Sequence, residues 1–274
     1  VALSAIFGPD RRMGLWSDES RSLGAAALWH FFALYLVVSS LKNEIDWGKL
    51  LFLSFGTAVV VSLIGISQKF IVFPKGSNPW LHIIYPGIPE RIGSVFSNSA
   101  FMAGYLLFNF FIGIYLFACG YKNWFLGAGT LLIFIAIFLS QTLGIILGLA
   151  AGLLFLLIYF TLQKQSVSLR KASAVFLILL VLFAGLLTAT KNSSFWQKIP
   201  GLKRIANVSL QEDSVRDRII TWEISLEAFK EKPIFGWGFE NFRVPFDRHY
   251  DPRLLTESMK GTYWDKPHNI ILEY

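Results

Sequence analysis

His268 lies in the run Trp264-Asp265-Lys266-Pro267-His268-Asn269, where a long polar stretch gives way to a new apolar one. An imidazole titrates near neutral pH, so this position offers a candidate proton acceptor at a membrane surface. A bare His-Asn pair at a helix start is otherwise a capping feature. Two arginines lie in comparable settings. Arg91 belongs to the polar lead Pro89-Glu90-Arg91-Ile92-Gly93-Ser94-Val95-Phe96-Ser97-Asn98-Ser99-Ala100-Phe101 into an apolar run. Its guanidinium reads equally as a snorkelling anchor near a helix end and as a grip on an anionic headgroup. Arg218 lies four residues before Trp222 at the edge of an apolar stripe, away from the solvated set Arg216, Glu223, Glu227 and Lys230. A structural role and a role at the site are both open to it. Further on, Arg243, Arg248, His249 and Arg253 alternate with Phe246, Asp247, Tyr250 and Asp251. That pattern suits an ordinary charged loop, and also a sugar-binding or lipid-headgroup surface.

The elements that must position these groups follow from periodicity. Val215, Ile219, Trp222, Leu226 and Phe229 recur at helical spacing and predict an amphipathic helix of about four turns whose apolar stripe is the packed face. Ser214 and Asp217 give it a start resembling a capping box, and Pro233 ends it. After Pro233, Gly236 and Gly238 permit a tight bend and close backbone approach. Without a preceding strand and a third glycine, this pair does not make a dinucleotide site, and no cofactor is implied.

The rest of the chain is built for lipid. Of its 274 residues 54% are hydrophobic, 16% are charged and 26 are Phe, a composition outside the range of a soluble domain of this size. A helix needs roughly 20 apolar residues to cross about 30 Å of hydrocarbon. Six windows approach that length, at about 23–41, 50–66, 100–119, 124–140, 143–162 and 172–190. The predicted fold is an all-α polytopic bundle over 1–190, a large helical loop over 191–269, and the start of a further span at 270–274. Lys42 and Lys49, then Lys122, then Lys164, Arg170 and Lys171 mark three cytoplasmic connections. Residues 1–22, 67–99, 140–142 and 191–269 then share the outer face.

Ionisable residues are nearly absent from these windows. His30 alone sits well inside one, as a packing or interfacial residue, which speaks against a transporter relay. Gly144, Gly148 and Gly152 put three small residues on one helix face for close approach of a neighbour. The single cysteine, Cys119, excludes an internal disulfide and a cysteine-based metal cluster. The formal net charge of +7 fits anionic lipid or a phosphate-bearing substrate, not nucleic acid. The chain opens on Val1 and closes on Tyr274 as apolarity resumes, and is expected to be an internal piece of a longer protein without a signal peptide.

Three spaced elements carry a family resemblance. Arg218-x-x-x-Trp222, then Pro233-Ile234-Phe235-Gly236-Trp237-Gly238-x-x-x-Phe242, then Pro267-His268-Asn269-x-x-Leu272-Glu273 resemble the core signature of the O-antigen ligase and O-antigen polymerase family. Arg91-x-Gly93-x-x-Phe96-x-Asn98 and Ser20-Arg21-Ser22-Leu23-Gly24 are also similar to members of that group. One departure stands out. Many members carry Ser/Thr-Arg-Gly before the large loop, whereas this chain reads Gln141-Thr142-Leu143-Gly144, with Leu143 in the place of the arginine.

The resemblance implies a metal-independent C-type glycosyltransferase of the bacterial inner membrane, its large loop on the periplasmic side. It would move a glycan from undecaprenyl diphosphate to an acceptor hydroxyl on lipid A core or a related cell-surface acceptor. The diphosphate leaving group is already anionic, so cations stabilise it where an acid is not needed. Arg218 and His268 are the implied catalytic pair, with Arg91, Arg216, Trp222 and Asn269 as implied substrate contacts. Arg91 is the candidate to supply the charge that Leu143 lacks. No outer Asp-x-Asp pair offers a metal site. Polymerisation and protein O-glycosylation use the same donor chemistry and stay open as alternatives. So does a non-catalytic membrane scaffold or lipid-linked-glycan transporter.

Overall fold

The computed structural model describes residues 1–18, 22–74, 78, 80, 84–85, 87, 89–96, 98–121, 123–162, 167–190, 193, 195–196, 213–255 and 263–273. Ser20, Arg21, Ser97, Lys122, Lys164, most of 191–212 and the side chain of Ser214 lie outside what is described, and with them the predicted capping box and part of the charge pattern. Within the described residues the chain is helical and divides into two compact units, Asp46–Val208 and a second made of Val1–Ile45 with Ser209–Tyr274.

The first of these units holds α4 (Trp47–Ser67), α5 (Ser99–Ala118), α6 (Trp124–Leu139), α7 (Leu143–Leu162) and α8 (Val167–Ala189). Side-chain caps start three of them. Asp46 accepts from Lys49 N, Asn98 from Ala100 N and Asn123 from Leu126 N, satisfying amides that a helix start leaves without partners. α4, α5 and α6 pack together around Phe55, Met102, Leu106, Ile133 and Ile137. Phe55 fills the gap between two glycines, since a Cβ on Gly113 would come within 2.6 Å of its ring and one on Gly129 within 2.8 Å. α7 and α8 pair with each other and leave most of their surface uncovered, with 11% of each apolar window buried against 33% in α4 and 39% in α5.

Four helices, α4, α5, α7 and the Arg170–Ala189 part of α8, are long and apolar enough to cross a membrane. The windows predicted at 23–41 and 124–140 are also apolar helices, but as α3 (Ala25–Ser40) and α6 they are 16 residues long and fall short of that length. The three-glycine stripe of α7 serves close packing at one end only. A Cβ on Gly152 would meet Phe111 at 2.3 Å and one on Gly148 would meet Leu107 at 3.4 Å, while Gly144 faces open space.

The second unit contains α1 (Ala2–Phe7), α2 (Arg11–Trp16), α3, α9 (Asp213–Glu231), α10 (Arg243–Arg248), a 3-10 turn at Pro252–Leu254 and α11 (Ile270–Glu273). α9 is the predicted helix, yet the face it packs within this unit is not the predicted one. Ile220 and Ile224 join Phe246 and Leu254 in the core, and Asp217, Thr221, Ser225 and Ala228 share that buried side. Ile219, Leu226 and Phe229 are exposed, and Val215 and Trp222 only half-buried. The hydroxyls explain the reversal. Thr221 Oγ1 donates to the Asp217 carbonyl and Ser225 Oγ to the Thr221 carbonyl, each at 2.7 Å, so the helix satisfies these polar groups itself and they enter the core at little cost.

Candidate functional site

The bend after α9 does what its glycines were expected to do. Gly236 and Gly238 have φ of +66° and +99°, and a Cβ on Gly238 would lie 2.5 Å from the Gly8 Cα. Only glycine admits that backbone approach. Asn241 then locks the bend to the start of α2, its Oδ1 accepting from Asp10 N at 3.1 Å and its Nδ2 donating to Asp10 O at 3.0 Å.

His268 follows on a segment fastened from two sides. The Trp222 indole donates to the Pro267 carbonyl at 2.9 Å, so the residue next to His268 is tied directly to α9. Arg218 sits one turn from Trp222 on the same side of that helix. One hydrogen bond therefore brings together the Arg218/Trp222 element and the Pro267-His268-Asn269 element. His268 is exposed, packs edge-on against Trp264 with ring centroids 4.8 Å apart, and has φ +50°, a left-handed conformation uncommon outside glycine. Trp264 in turn packs on the Ile220/Phe246 core.

The second fastening is an ionic cluster that pattern reading passed over. Lys266 bridges Glu240 and Glu273, 3.1 Å from the latter, with side-chain exposures of 14%, 5% and 21% respectively. Ser17 Oγ donates to the other Glu240 oxygen at 2.9 Å. Burial alone would lower the Lys266 pKa, but the hydrogen bonds and charges of Glu240 and Glu273 outweigh it and hold the ammonium above its ordinary range. No spacing rule singles out a lysine flanked by Trp, Asp and Pro. The hint was in two carboxylates set among apolar residues, Glu240 in Gly238-Phe239-Glu240-Asn241-Phe242 and Glu273 after Ile270-Ile271-Leu272.

The remaining predicted residues divide. Asn269 caps α11, its Oδ1 accepting from Ile271 N at 3.1 Å, so the capping role holds for that residue. Arg216 is exposed and lies 3.5 Å from the buried Asp217 carboxylate. Arg218 is exposed and is paired with no carboxylate among the described residues. His30 is exposed, and its Nδ1 donates to the Ala26 carbonyl at 2.7 Å. In the charged loop, Arg253 pairs with Asp251 and Glu223, and its hydrogen bonds draw the Asp251 carboxyl below its ordinary range.

Arg91 belongs to the other unit. Its Nε donates to the Ser140 carbonyl at 3.0 Å and its Nη2 to Thr142 Oγ1 at 2.9 Å, which puts the guanidinium against the turn that leads into Leu143. The backbone around it is fixed. Ile92 is fully buried, and Gln68, 2% exposed, accepts from Gly93 N and Ser94 N at 3.1 and 3.0 Å. Gln141 Nε2 donates to the Glu90 carbonyl at 2.8 Å.

These features define a multi-pass helical membrane protein with a histidine-bearing segment tied by tryptophans to the helix that carries Arg218. The sequence model of the O-antigen ligase family matches residues 128–274, which takes in α9, the glycine bend and His268. The chain belongs to that family, as a membrane glycosyltransferase of the ligase or polymerase type. No curated protein and no solved structure matches it.

Proposed function

We propose that the protein transfers a glycan from undecaprenyl diphosphate to an acceptor hydroxyl, on lipid A core or a related cell-surface acceptor, at the outer face of the bacterial inner membrane. His268 takes the proton from the acceptor hydroxyl as its oxygen attacks the anomeric carbon. The bond from that carbon to the diphosphate oxygen breaks, and the electron pair leaves on the diphosphate. Arg218 stabilises that charge, so the step calls for no metal ion. Trp222 holds the segment that carries the base.

The hydrogen bond from Trp222 to Pro267 carries this reading, because it joins the helix that bears Arg218 to the histidine segment within one unit. Arg91, hydrogen-bonded to Ser140 and Thr142 in the turn before Leu143, is in this reading a further substrate contact. The test is transfer of a radiolabelled glycan from undecaprenyl diphosphate in membranes holding the full-length protein. His268→Ala and Arg218→Ala, at matched expression, should each lower the rate by roughly 10²–10⁴. Full activity in either variant would remove that residue from the mechanism.

A further inference from the structure

α1 and the glycine bend after α9 form one apolar tip. A Cβ on Gly8 would come within 2.9 Å of the Gly238 Cα, so the two backbones touch, and the Phe7 and Phe235 rings pack with centroids 5.5 Å apart. Beside this contact Ala5, Ala25 and Phe239 make a small core with Leu15 and Leu28, which fixes the tip against the first turn of α3. The surface of the tip is left bare. Ile234 is 84% exposed, Phe7 65% and Phe235 51%, and Leu3 and Ile6 of α1 are exposed as well. An apolar surface of this kind marks a contact with something other than water.

Lipid is the partner that the surroundings of the tip select. α3 is an apolar helix with Trp29, Phe32, Leu34, Tyr35 and Val37 exposed, so the neighbouring surface already suits hydrocarbon. Its 16 residues reach roughly 24 Å at about 1.5 Å each, short of the ~30 Å of a bilayer core. An apolar tip at one end of that helix extends the lipid-facing surface where the helix falls short. Directly behind the tip comes a ring of the opposite character. The Trp237 indole donates to the Ala228 carbonyl at 2.8 Å, and its ring lies 4.0 Å from Lys232 Nζ and 5.6 Å from the Arg248 guanidinium carbon. Tryptophan and cations behind an apolar point match the headgroup layer, where an ammonium meets lipid phosphate. Arg248 also lies 3.4 Å from Glu231, so Lys232 is the cation assigned to the headgroups.

We infer that Phe7, Ile234 and Phe235 dip into the bilayer beside the start of α3, with Trp237 and Lys232 at the level of anionic headgroups. The anchor also sets the depth of the histidine segment, because Glu240, two residues past Gly238, accepts from Lys266, two residues before His268.

The test needs no catalysis, so it stands apart from the transferase reading. In a Cys119→Ser background the full-length protein carries one nitroxide at a time, at Ile234→Cys, Leu34→Cys or Glu223→Cys, in nanodiscs of phosphatidylcholine and phosphatidylglycerol in equal parts. Power-saturation EPR compares collisions with oxygen, which concentrates in hydrocarbon, and with a water-soluble nickel chelate. The Ile234 label should be oxygen-rich and nickel-poor, like the Leu34 label in α3, while the Glu223 label on the exposed side of α9 collides with nickel. Phosphatidylcholine alone should shift the Ile234 label toward nickel, and Lys232→Gln should cause the same shift in the mixed lipid. An Ile234 label as open to nickel as the Glu223 label would overturn the anchor. So would a label that neither reagent reaches, since protein then covers the tip; dipolar broadening would identify that cover as a second copy of this chain. Equal readings with and without phosphatidylglycerol would overturn the headgroup role of Lys232.

Discussion

His268 has φ +50°, and a side chain held there costs about 1–2 kcal/mol relative to glycine. Such strain marks a conformation the surroundings impose, here the Trp222 bond on one side and the α11 cap on the other. Asn tolerates the left-handed region better than most residues. His268→Asn should therefore keep or slightly raise the melting temperature in detergent while transfer collapses; a large loss of stability would mean that the imidazole packs the fold and does no chemistry. Arg91 allows a complementary test. If its guanidinium supplies the charge that Leu143 lacks, Arg91→Ala should cost roughly 10²–10³ in transfer rate. Leu143→Arg placed in that background should restore part of it. A variant pair no better than Arg91→Ala alone would confine Arg91 to bracing the 140–142 turn.

The segment between the glycine bend and α11 is held by the Glu240–Lys266–Glu273 cluster, and breaking a buried ion pair from one side is far costlier than removing it whole. Lys266→Met should destabilise by about 3–5 kcal/mol, and adding Glu240→Gln should recover much of that, in a cycle of melting temperatures. Additive losses would show that the three groups do not act together. The lysine pKa is raised in the folded protein, so its contribution is fully present below the ordinary lysine pKa of about 10.4 and fades as pH rises through the higher folded value. The stability difference between wild type and Lys266→Met should thus stay level from pH 6 to 9 and shrink only beyond that.

α9 shows how far the sequence reaches. Its position, its end before Pro233 and the bend at Gly236 and Gly238 were legible, because periodicity and backbone freedom are local properties. Its packed face was not, because Thr221 and Ser225 bond back to their own helix and so enter the core where polar residues were expected to face water. Ile224→Ala should accordingly cost about 2–5 kcal/mol, a loss that melting curves of the variant would show.

Six apolar helices lie where the hydropathy pattern put them, four of them of spanning length, and the sidedness expected from the flanking lysines and arginines is a separate question. That sidedness decides whether the chemistry is possible at all. The proposed transfer needs His268 on the outer face, whereas Cys119, exposed at the end of α5, belongs to a connection expected in the cytoplasm. Long polar segments carry no positional signal of their own, so the lysines of the short connections alone supply it. The single native cysteine makes the question measurable. A membrane-impermeant maleimide should label Cys119 in inside-out vesicles and leave it unlabelled in right-side-out ones. In a Cys119→Ser background, His268→Cys should show the opposite pattern. Labelling of both thiols from the same side would break the alternation of spans and place His268 away from the periplasmic substrates, whereas the opposed pattern fixes the reacting segment on the face where acceptor and lipid-linked glycan meet.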